Sequence, residues 1–396
     1  MDLGFDAADD AFREEARDWL AAHVPPAPLP SLETADGFEA HRRWEATLAR
    51  DRWSVVSWPE RYGGRDCSVL RWLIFEEEYY AAGAPGRVGQ NGISLLAPTL
   101  FEHGTPGQRD RVLPPMARGE VVWAQAWSEP ESGSDLASLT STAVRTEGGW
   151  LLNGQKTWSS RAAFADRAFG LFRSDPGADR PHRGLTYLMF PLRADGVTVR
   201  PIGRLDGKPA FAELFLDDVF VPDEDVIGEP GQGWRVAMST AGNERGLTLR
   251  SPGRFTAAAD RLAALWRERA DPADTALRDR VADAVIGARA YRLFGYATAS
   301  RLLHGAGSGE GGGPDAAASS LNKVFWSELD IALHETALDL LGPYGELAAH
   351  APDSPAHGSW AEGHLFSLAG PIYAGTNEIQ RDIIAERLLG LPKGRR

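Results

Sequence analysis

The chain has 396 residues, 43% of them apolar and 13 of them tryptophan, enough for a large core shared among two or three subdomains. Its formal net charge of -13 excludes nucleic acid or an anionic membrane surface as the main partner, because a phosphate-rich surface would repel it. Cys67 is the only cysteine, which excludes an intrachain disulfide and a cysteine-built zinc site and points to a reducing cytoplasm.

Asp9 to His23 place Phe12, Ala16, Trp19 and Leu20 at helical spacing, with Asp10, Glu14, Glu15 and Asp18 on the other side. This acidic amphipathic helix has neither the basic start of a signal peptide nor the acid-poor character of a transit peptide. Helical patterns continue to Gly119, punctuated by Trp58-Pro59, Gly63-Gly64 and Gly104-Thr105-Pro106. No apolar run reaches the roughly 20 residues that a membrane span needs.

From Glu120 to about Gly228 the period changes to two. Trp150, Leu151 and Leu152 lie between the turn signals Glu147-Gly148-Gly149 and Asn153-Gly154, and Thr198 alternates with Val197 and Val199. Phe211, Glu213, Phe215 and Asp217 form an every-other-residue series opposite Leu214 and Leu216. The pattern predicts a compact antiparallel β-domain. After Gly231-Gln232-Gly233-Trp234 long Ala/Leu/Arg-rich helical segments run to the end, interrupted by the glycine-rich connector from Gly305 to Gly313. The expected fold is therefore α+β, with domains at 1–119 (helical), 120–229 (β) and 230–396 (a helical bundle).

Two weaker patterns carry no chemistry. Gly231-Gln232-Gly233 lacks the third glycine and the strand-turn-helix setting of a dinucleotide fingerprint. His350, His357 and His364 recur every seven residues without metal-ligand spacing and read as surface histidines.

Six motifs in order give the chain a resemblance. Trp58-Pro59-Glu60-Arg61-Tyr62-Gly63-Gly64 is followed by Trp127-Ser128-Glu129-Pro130-Glu131-Ser132-Gly133-Ser134-Asp135 and Asn153-Gly154-Gln155-Lys156-Thr157-Trp158-Ser159-Ser160. Gly231 to Trp234, Asn243-Glu244-Arg245-Gly246 and Ala374 to Arg381 complete the series. In this order they resemble the acyl-CoA dehydrogenases, FAD-dependent flavoproteins whose fold is an N-terminal helical domain, a central β-domain and a C-terminal four-helix bundle.

The resemblance implies roles. Trp158 would cover the isoalloxazine ring, while Gln125, Trp127, Ser128, Ser159 and Ser160 would present backbone or hydroxyl groups to it; such contacts tune a flavin that itself does the redox chemistry. Ser134 would contact flavin or CoA phosphates. Thr376 and Glu378 would hold the phosphate or adenine end of FAD, and the loop at Gly342 would reach the FAD of a neighbouring subunit. Electron-transfer flavoprotein is the implied acceptor, and a dimer of dimers, a homotetramer, the implied assembly.

One residue departs from the family's best-studied pattern. Ala374 stands where those members carry a catalytic glutamate. Oxidising an acyl thioester requires a base for the α-proton and a hydrogen bond to the carbonyl as enolate charge develops. Alanine keeps the backbone N–H at that position and loses only the carboxylate. Glu244, followed by Arg245, matches the place where members acting on branched, long-chain or steroid-derived acyl groups carry their glutamate. Glu244 is thus the expected base, Arg245 would anchor substrate or orient the base, and Ala374 with Gly375 would border the acyl group. Loss of volume at Ala374 points to a bulky or branched acyl-CoA, in lipid metabolism.

Two further departures keep other readings open. The family's Arg-x-x-Phe-Gly stretch is not recognisable, Arg292-Leu293-Phe294-Gly295 being a loose echo, and Arg267 to Asp279 is unusually charged. The chain could be the non-catalytic partner in a heterotetramer with a related chain. It could also be a biosynthetic flavoenzyme that acts on an acyl group held by a carrier protein, or that uses oxygen.

Overall fold

The computed structural model describes residues 5–245, 250–303, 314–348 and 351–393, with the backbone alone for 243–245 and 314–317. Five helices come first: α1 (Ala7–His23), α2 (Ala35–Arg50), α3 (Val69–Ala81), α4 (Ala97–His103) and α5 (Pro106–Ala117). Eight strands follow: β1 (Trp123–Ala126), β2 (Thr142–Thr146), β3 (Gly149–Ser160), β4 (Arg167–Arg173), β5 (Leu185–Pro191), β6 (Val197–Ile202), β7 (Phe211–Pro222) and β8 (Val226–Ile227). Helices α6 (Gly233–Arg245), α7 (Pro252–Arg269), α8 (Thr275–Leu303), α9 (Pro314–Leu341), α10 (Ser359–Ser367) and α11 (Asn377–Ile383) complete the order. The glycine-rich stretch 305–313 and His350 lie outside the described residues.

The chain folds into two compact units, each assembled from separated stretches. The first, here the β-unit, comprises Pro25–Asp66 and Pro85–Glu244. The second, the helical unit, comprises Met1–Val24, Cys67–Ala84 and Arg245–Arg396.

In the β-unit the sheet order is β6-β7-β3-β2-β4-β5-β8, with β1 beside β4. Leu214 and Leu216 of β7 face the core while Phe211, Glu213, Phe215 and Asp217 take the other side, as their alternation predicts. Pairing is antiparallel apart from β1 with β4, Trp123 to Ala126 against Arg167 to Gly170, and a single parallel contact between Thr142 and Arg173. β1 enters from α5 and reaches β4 across intervening chain, which a parallel pair requires and a hairpin could not supply. Gly170 permits the close approach, since a Cβ there would stand 2.2 Å from the Ala126 carbonyl oxygen. Leu152, Phe172, Leu188, Phe190, Leu214 and Val221 centre the core.

In the helical unit α1 buries Phe12, Ala16 and Leu20, starts on an Asp6 cap that accepts the Asp9 N–H at 2.7 Å, and packs on α3. Trp19 is only half-buried and stacks on His23, centroids 4.2 Å apart. α3 packs in turn on α7 and α8, and Gly253 lets α7 approach closely: a Cβ there would lie 2.7 Å from the Glu76 carbonyl oxygen. Phe255, Leu262, Tyr291, Trp326 and Leu333 form the bundle core with Trp360 of α10. Each such side chain contributes about 1.5–3 kcal/mol when fully buried.

One carboxylate ties three of these helices. Glu77 of α3 accepts from Arg13 of α1 at 3.1 Å and from Arg292 and Tyr296 of α8, both at 2.6 Å. Burial works against its charge, but Arg292 and Tyr296 prevail and hold its pKa below the ordinary carboxylate value.

Candidate functional site

The expected site residues fall into two groups, one in each unit. In the β-unit they lie on β1, on the loop after it, and on β3. Trp150, Leu152 and Lys156 of β3 are buried, and by that even-numbered parity Trp158 should be buried too. Instead Trp158 is 60% exposed. The register of β3 against β7 shifts between Lys156 and Ser159, and Trp158 sits at φ 57°, a left-handed conformation rare for a bulky residue. The bulge turns the indole out of the core, edge-on to Phe211 at 5.9 Å.

Strands β1 and β3 also carry polar atoms without partners. Among the described residues, Gln125 Nε2 and Ser159 Oγ are buried and make no hydrogen bond. Leaving a buried donor unpaired costs about 1–3 kcal/mol, so such atoms call for an explanation. Ser160 is half-buried opposite Phe211 of β7, and Ser134 is exposed on the turn after β1. An exposed flat aromatic ring suits a planar group, and unsatisfied donors on the same two strands suit a group with a polar edge.

The ground under this wall is a buried ion pair. Lys156 is fully buried and spends its three donors on Glu129 Oε1 at 2.8 Å, the Leu171 carbonyl at 2.7 Å and the Trp127 carbonyl at 3.3 Å. Glu129 also accepts from the Ser141 N–H at 2.9 Å and from the Thr140 N–H and hydroxyl at 2.6 and 2.9 Å. Burial would raise the Glu129 pKa, but Lys156 and these donors hold it at about 2; burial pulls Lys156 down to about 8 against the attraction of Glu129. The Thr157 N–H donates to the Ser128 carbonyl at 2.9 Å, so the two signature segments are stitched side by side. Trp127 is half-buried, its Nε1–H donating to Tyr187 Oη at 3.2 Å. Lys156, Glu129 and Tyr187 were not among the expected site residues. A lysine at an inward position of a strand was the available signal for the first two.

Glu244 and Arg245 end α6, and Glu244 is the last residue of the β-unit. Their side chains, with that of Asn243, lie outside the description.

In the helical unit the second group forms one turn. Ala374 has φ 58° and Gly375 φ 78°. Thr376 then caps α11, its hydroxyl accepting the Ile379 N–H at 3.3 Å. Asn377 fastens this turn to α9, accepting from Lys323 at 2.7 Å and Ser327 at 3.1 Å, while Gln380 donates to the Ala374 carbonyl at 3.3 Å. Glu378 is exposed, and its own backbone N–H and the Thr376 hydroxyl hold its carboxyl below the ordinary range. As an anion it would accept from hydroxyl or amine donors and repel phosphate. Tyr373 Oη accepts from Arg250 Nη2 at 2.8 Å and Nε at 3.1 Å.

Gly342 stands apart from this turn. It has φ 53° and opens the 3-10 turn Gly342–Glu346 beyond α9, some fifteen residues past Ser327, which is roughly 20 Å along the helix. Arg292, the echo of the family's arginine motif, is committed to Glu77. Within the Arg267 to Asp279 stretch, Arg269 pairs with Glu268 and Arg278 with Asp279.

The chain matches three family models: acyl-CoA dehydrogenase N-terminal domain over residues 6–120, middle domain over 124–219 and C-terminal domain over 231–389. It is 38% identical to acyl-CoA dehydrogenase IpdE1 of Mycobacterium tuberculosis, across 97% of this chain and 98% of that protein. Among solved structures it resembles one described as Tcur3481-Tcur3483 steroid ACAD, with TM-score 0.87 and 28% identity over the whole of both chains. The ChsE4-ChsE5 complex from Mycobacterium tuberculosis is similar at TM-score 0.85 and 29% identity, again over both whole chains.

Proposed function

The chain belongs to the acyl-CoA dehydrogenase family, and from that premise we propose that it desaturates a bulky or branched acyl-CoA with Glu244 as the base. Its class is that of an FAD-dependent oxidoreductase acting on CH-CH groups. When bound, FAD supplies the hydride acceptor at N5.

The turn at Ala374 carries the reading. It keeps a strained backbone, φ 58° followed by φ 78°, at the position of the family's carboxylate, while the side chain there offers no base. A backbone N–H at Ala374 can hydrogen-bond a thioester carbonyl, and the proton must go to another element. Glu244 takes it in this reading, and Arg245 anchors the substrate. Trp158 forms the wall against the flavin, with Gln125 Nε2 and Ser159 Oγ as donors toward its polar edge and Trp127, Ser128 and Ser160 around them. Ser134 contacts phosphate, Thr376 and Glu378 the adenine end, and Gly342 the cofactor of a second subunit. The steroid ACAD description of a 28% identical structure supports a large acyl group. Electron-transfer flavoprotein is the proposed acceptor and the cytoplasm the proposed location; no described helix is long and apolar enough to cross a membrane.

The test is the visible spectrum of the anaerobic protein as acyl-CoAs are added, from short straight chains to branched and steroid-derived ones. A bulky thioester should bleach the flavin in the wild type, and Glu244→Gln should slow the bleaching by about 10²–10⁴-fold. Bleaching of Glu244→Gln at the wild-type rate would sink the assignment.

A second reading, assembly with a related chain, is favoured by two whole-chain neighbours being described as two-protein assemblies. Co-purification of a homologous chain supports it, and a homotetramer with one FAD per chain counts against it.

A further inference from the structure

Three hydroxyls buried in the β-unit form a chain that the reading above does not use. Trp127 Nε1–H donates to Tyr187 Oη at 3.2 Å; Tyr187 Oη lies 3.3 Å from Thr240 Oγ1, Thr240 Oγ1 lies 2.7 Å from Thr99 Oγ1, and Thr99 Oγ1 donates to the Leu95 carbonyl at 2.7 Å. Tyr187, Thr240 and Thr99 are all fully buried. An indole N–H can only donate, a carbonyl can only accept, and each hydroxyl has one proton. Each of the Thr99 and Thr240 hydroxyls lies within reach of a backbone carbonyl on its own helical turn as well as of the other hydroxyl. Thr240 Oγ1 reaches the Val236 carbonyl at 3.1 Å within α6, so its hydroxyl joins its own helix to Tyr187 and Thr99.

The chain crosses five elements: the loop after β1, strand β5, helix α6, helix α4 and the π-turn Gly92–Leu96 that leads into it. Such π-turns occur often at functional sites. Its starting residue, Trp127, also gives its carbonyl to Lys156 and so shares the ion-pair platform under Trp158. Its α6 member, Thr240, precedes Glu244 by four residues, about one turn of the helix.

We infer that Tyr187, Thr240 and Thr99 are positioning residues that fix the rotation of α6, and with it the base one turn later, against the wall containing Trp127 and Trp158. The inference rests on the reading of Glu244 as base. The contacts from Thr240 to other elements give the lock its angular definition, because a helix that turned by one residue, about 100°, would break the bonds to both Tyr187 and Thr99.

The experiment compares holoprotein variants Thr240→Val, Thr240→Ser and Tyr187→Phe with Glu244→Gln. Valine keeps the shape of threonine without its hydroxyl, and serine keeps the hydroxyl. Thr240→Val and Tyr187→Phe should slow first-order flavin bleaching at saturating acyl-CoA by about 30-fold, the scale of a sub-ångström to 1 Å misplacement, while the half-saturating concentration stays within about twofold. Thr240→Ser should return the rate to within about threefold of wild type. Amide hydrogen exchange over residues 233–245 should quicken in Thr240→Val and not in Thr240→Ser. Wild-type bleaching and exchange in Thr240→Val and Tyr187→Phe, alongside a silent Glu244→Gln, would overturn the positioning role and leave the base in place. If Glu244→Gln bleaches normally, the base reading fails by itself, and the exchange comparison alone decides whether the hydroxyl chain holds α6.

Discussion

Trp158 in the β-unit and Ala374 in the helical unit share a left-handed backbone that costs an L-residue roughly 1–2 kcal/mol, yet they are braced differently. Near Trp158, buried Lys156 answers a buried carboxylate that already accepts three other bonds. Next to Ala374, buried Lys323 donates a hydrogen bond to the neutral carboxamide oxygen of Asn377, which Ser327 also serves. The difference matches what each turn presents. One holds a large ring outward against its own parity, and the other, in the proposed site, would present only a backbone N–H. Backbone strain persists when its surroundings over-determine it, and of these two turns the more heavily braced one displays the larger side chain.

Replacing each lysine by methionine puts this contrast to its hardest test. Lys156→Met leaves the Glu129 charge buried without its ion partner and should lower unfolding stability by about 3–5 kcal/mol. Lys323→Met leaves a neutral oxygen that Ser327 still serves, an expected loss of about 1–2 kcal/mol. Denaturant titration of both variants reads the two values; equal losses would erase the distinction.

Acid titration gives a middle-sized effect confined to one brace. Glu129 is held in the folded protein at about 2, below the ordinary value of 4.5. A depressed carboxyl contributes stability that is present above 4.5 and is lost as pH falls through about 2. Across that window the urea midpoint should therefore fall more steeply in wild type than in Glu129→Gln. Parallel curves would mean that Glu129 keeps an ordinary pKa.

The smallest effect belongs to the other turn. Glycine has no Cβ to strain at φ 58°, so Ala374→Gly should gain about 1 kcal/mol, less the extra freedom of glycine in the unfolded chain. A loss of stability on this change would show that the turn is not strained at that residue.

Legibility in the sequence followed the locality of the signal. Period-two alternation placed Leu214 and Leu216 inside, and helical spacing placed Phe12, Ala16 and Leu20 on the buried face of α1, because each pattern is written within one element. The parallel pairing of β1 with β4 left no local trace, since it depends on Gly170 meeting Ala126 across 44 residues. Trp158 followed neither parity nor composition: its exposure comes from a bulge that only the register with β7 reveals. Lys156 was readable in principle as an inward lysine, but its partner Glu129 lies on another segment 27 residues away. Nor does the sequence say that α3 packs with helices from the other end of the chain, because hydrophobic periodicity marks a face without naming what covers it.

The Glu77 cluster sets an order of assembly during synthesis. Its bonds close intervals of 64 residues to Arg13 and 215 residues to Arg292. At about 5–20 residues per second, Arg292 leaves the ribosome roughly 10–40 s after Glu77. Through that interval α1 and α3 are present with their final partner unmade, while every segment of the β-unit has emerged by residue 244. The unit that holds the first helix is thus the last to finish, and in a nascent chain the exposed apolar faces of α1 and α3 are the surfaces a chaperone would meet.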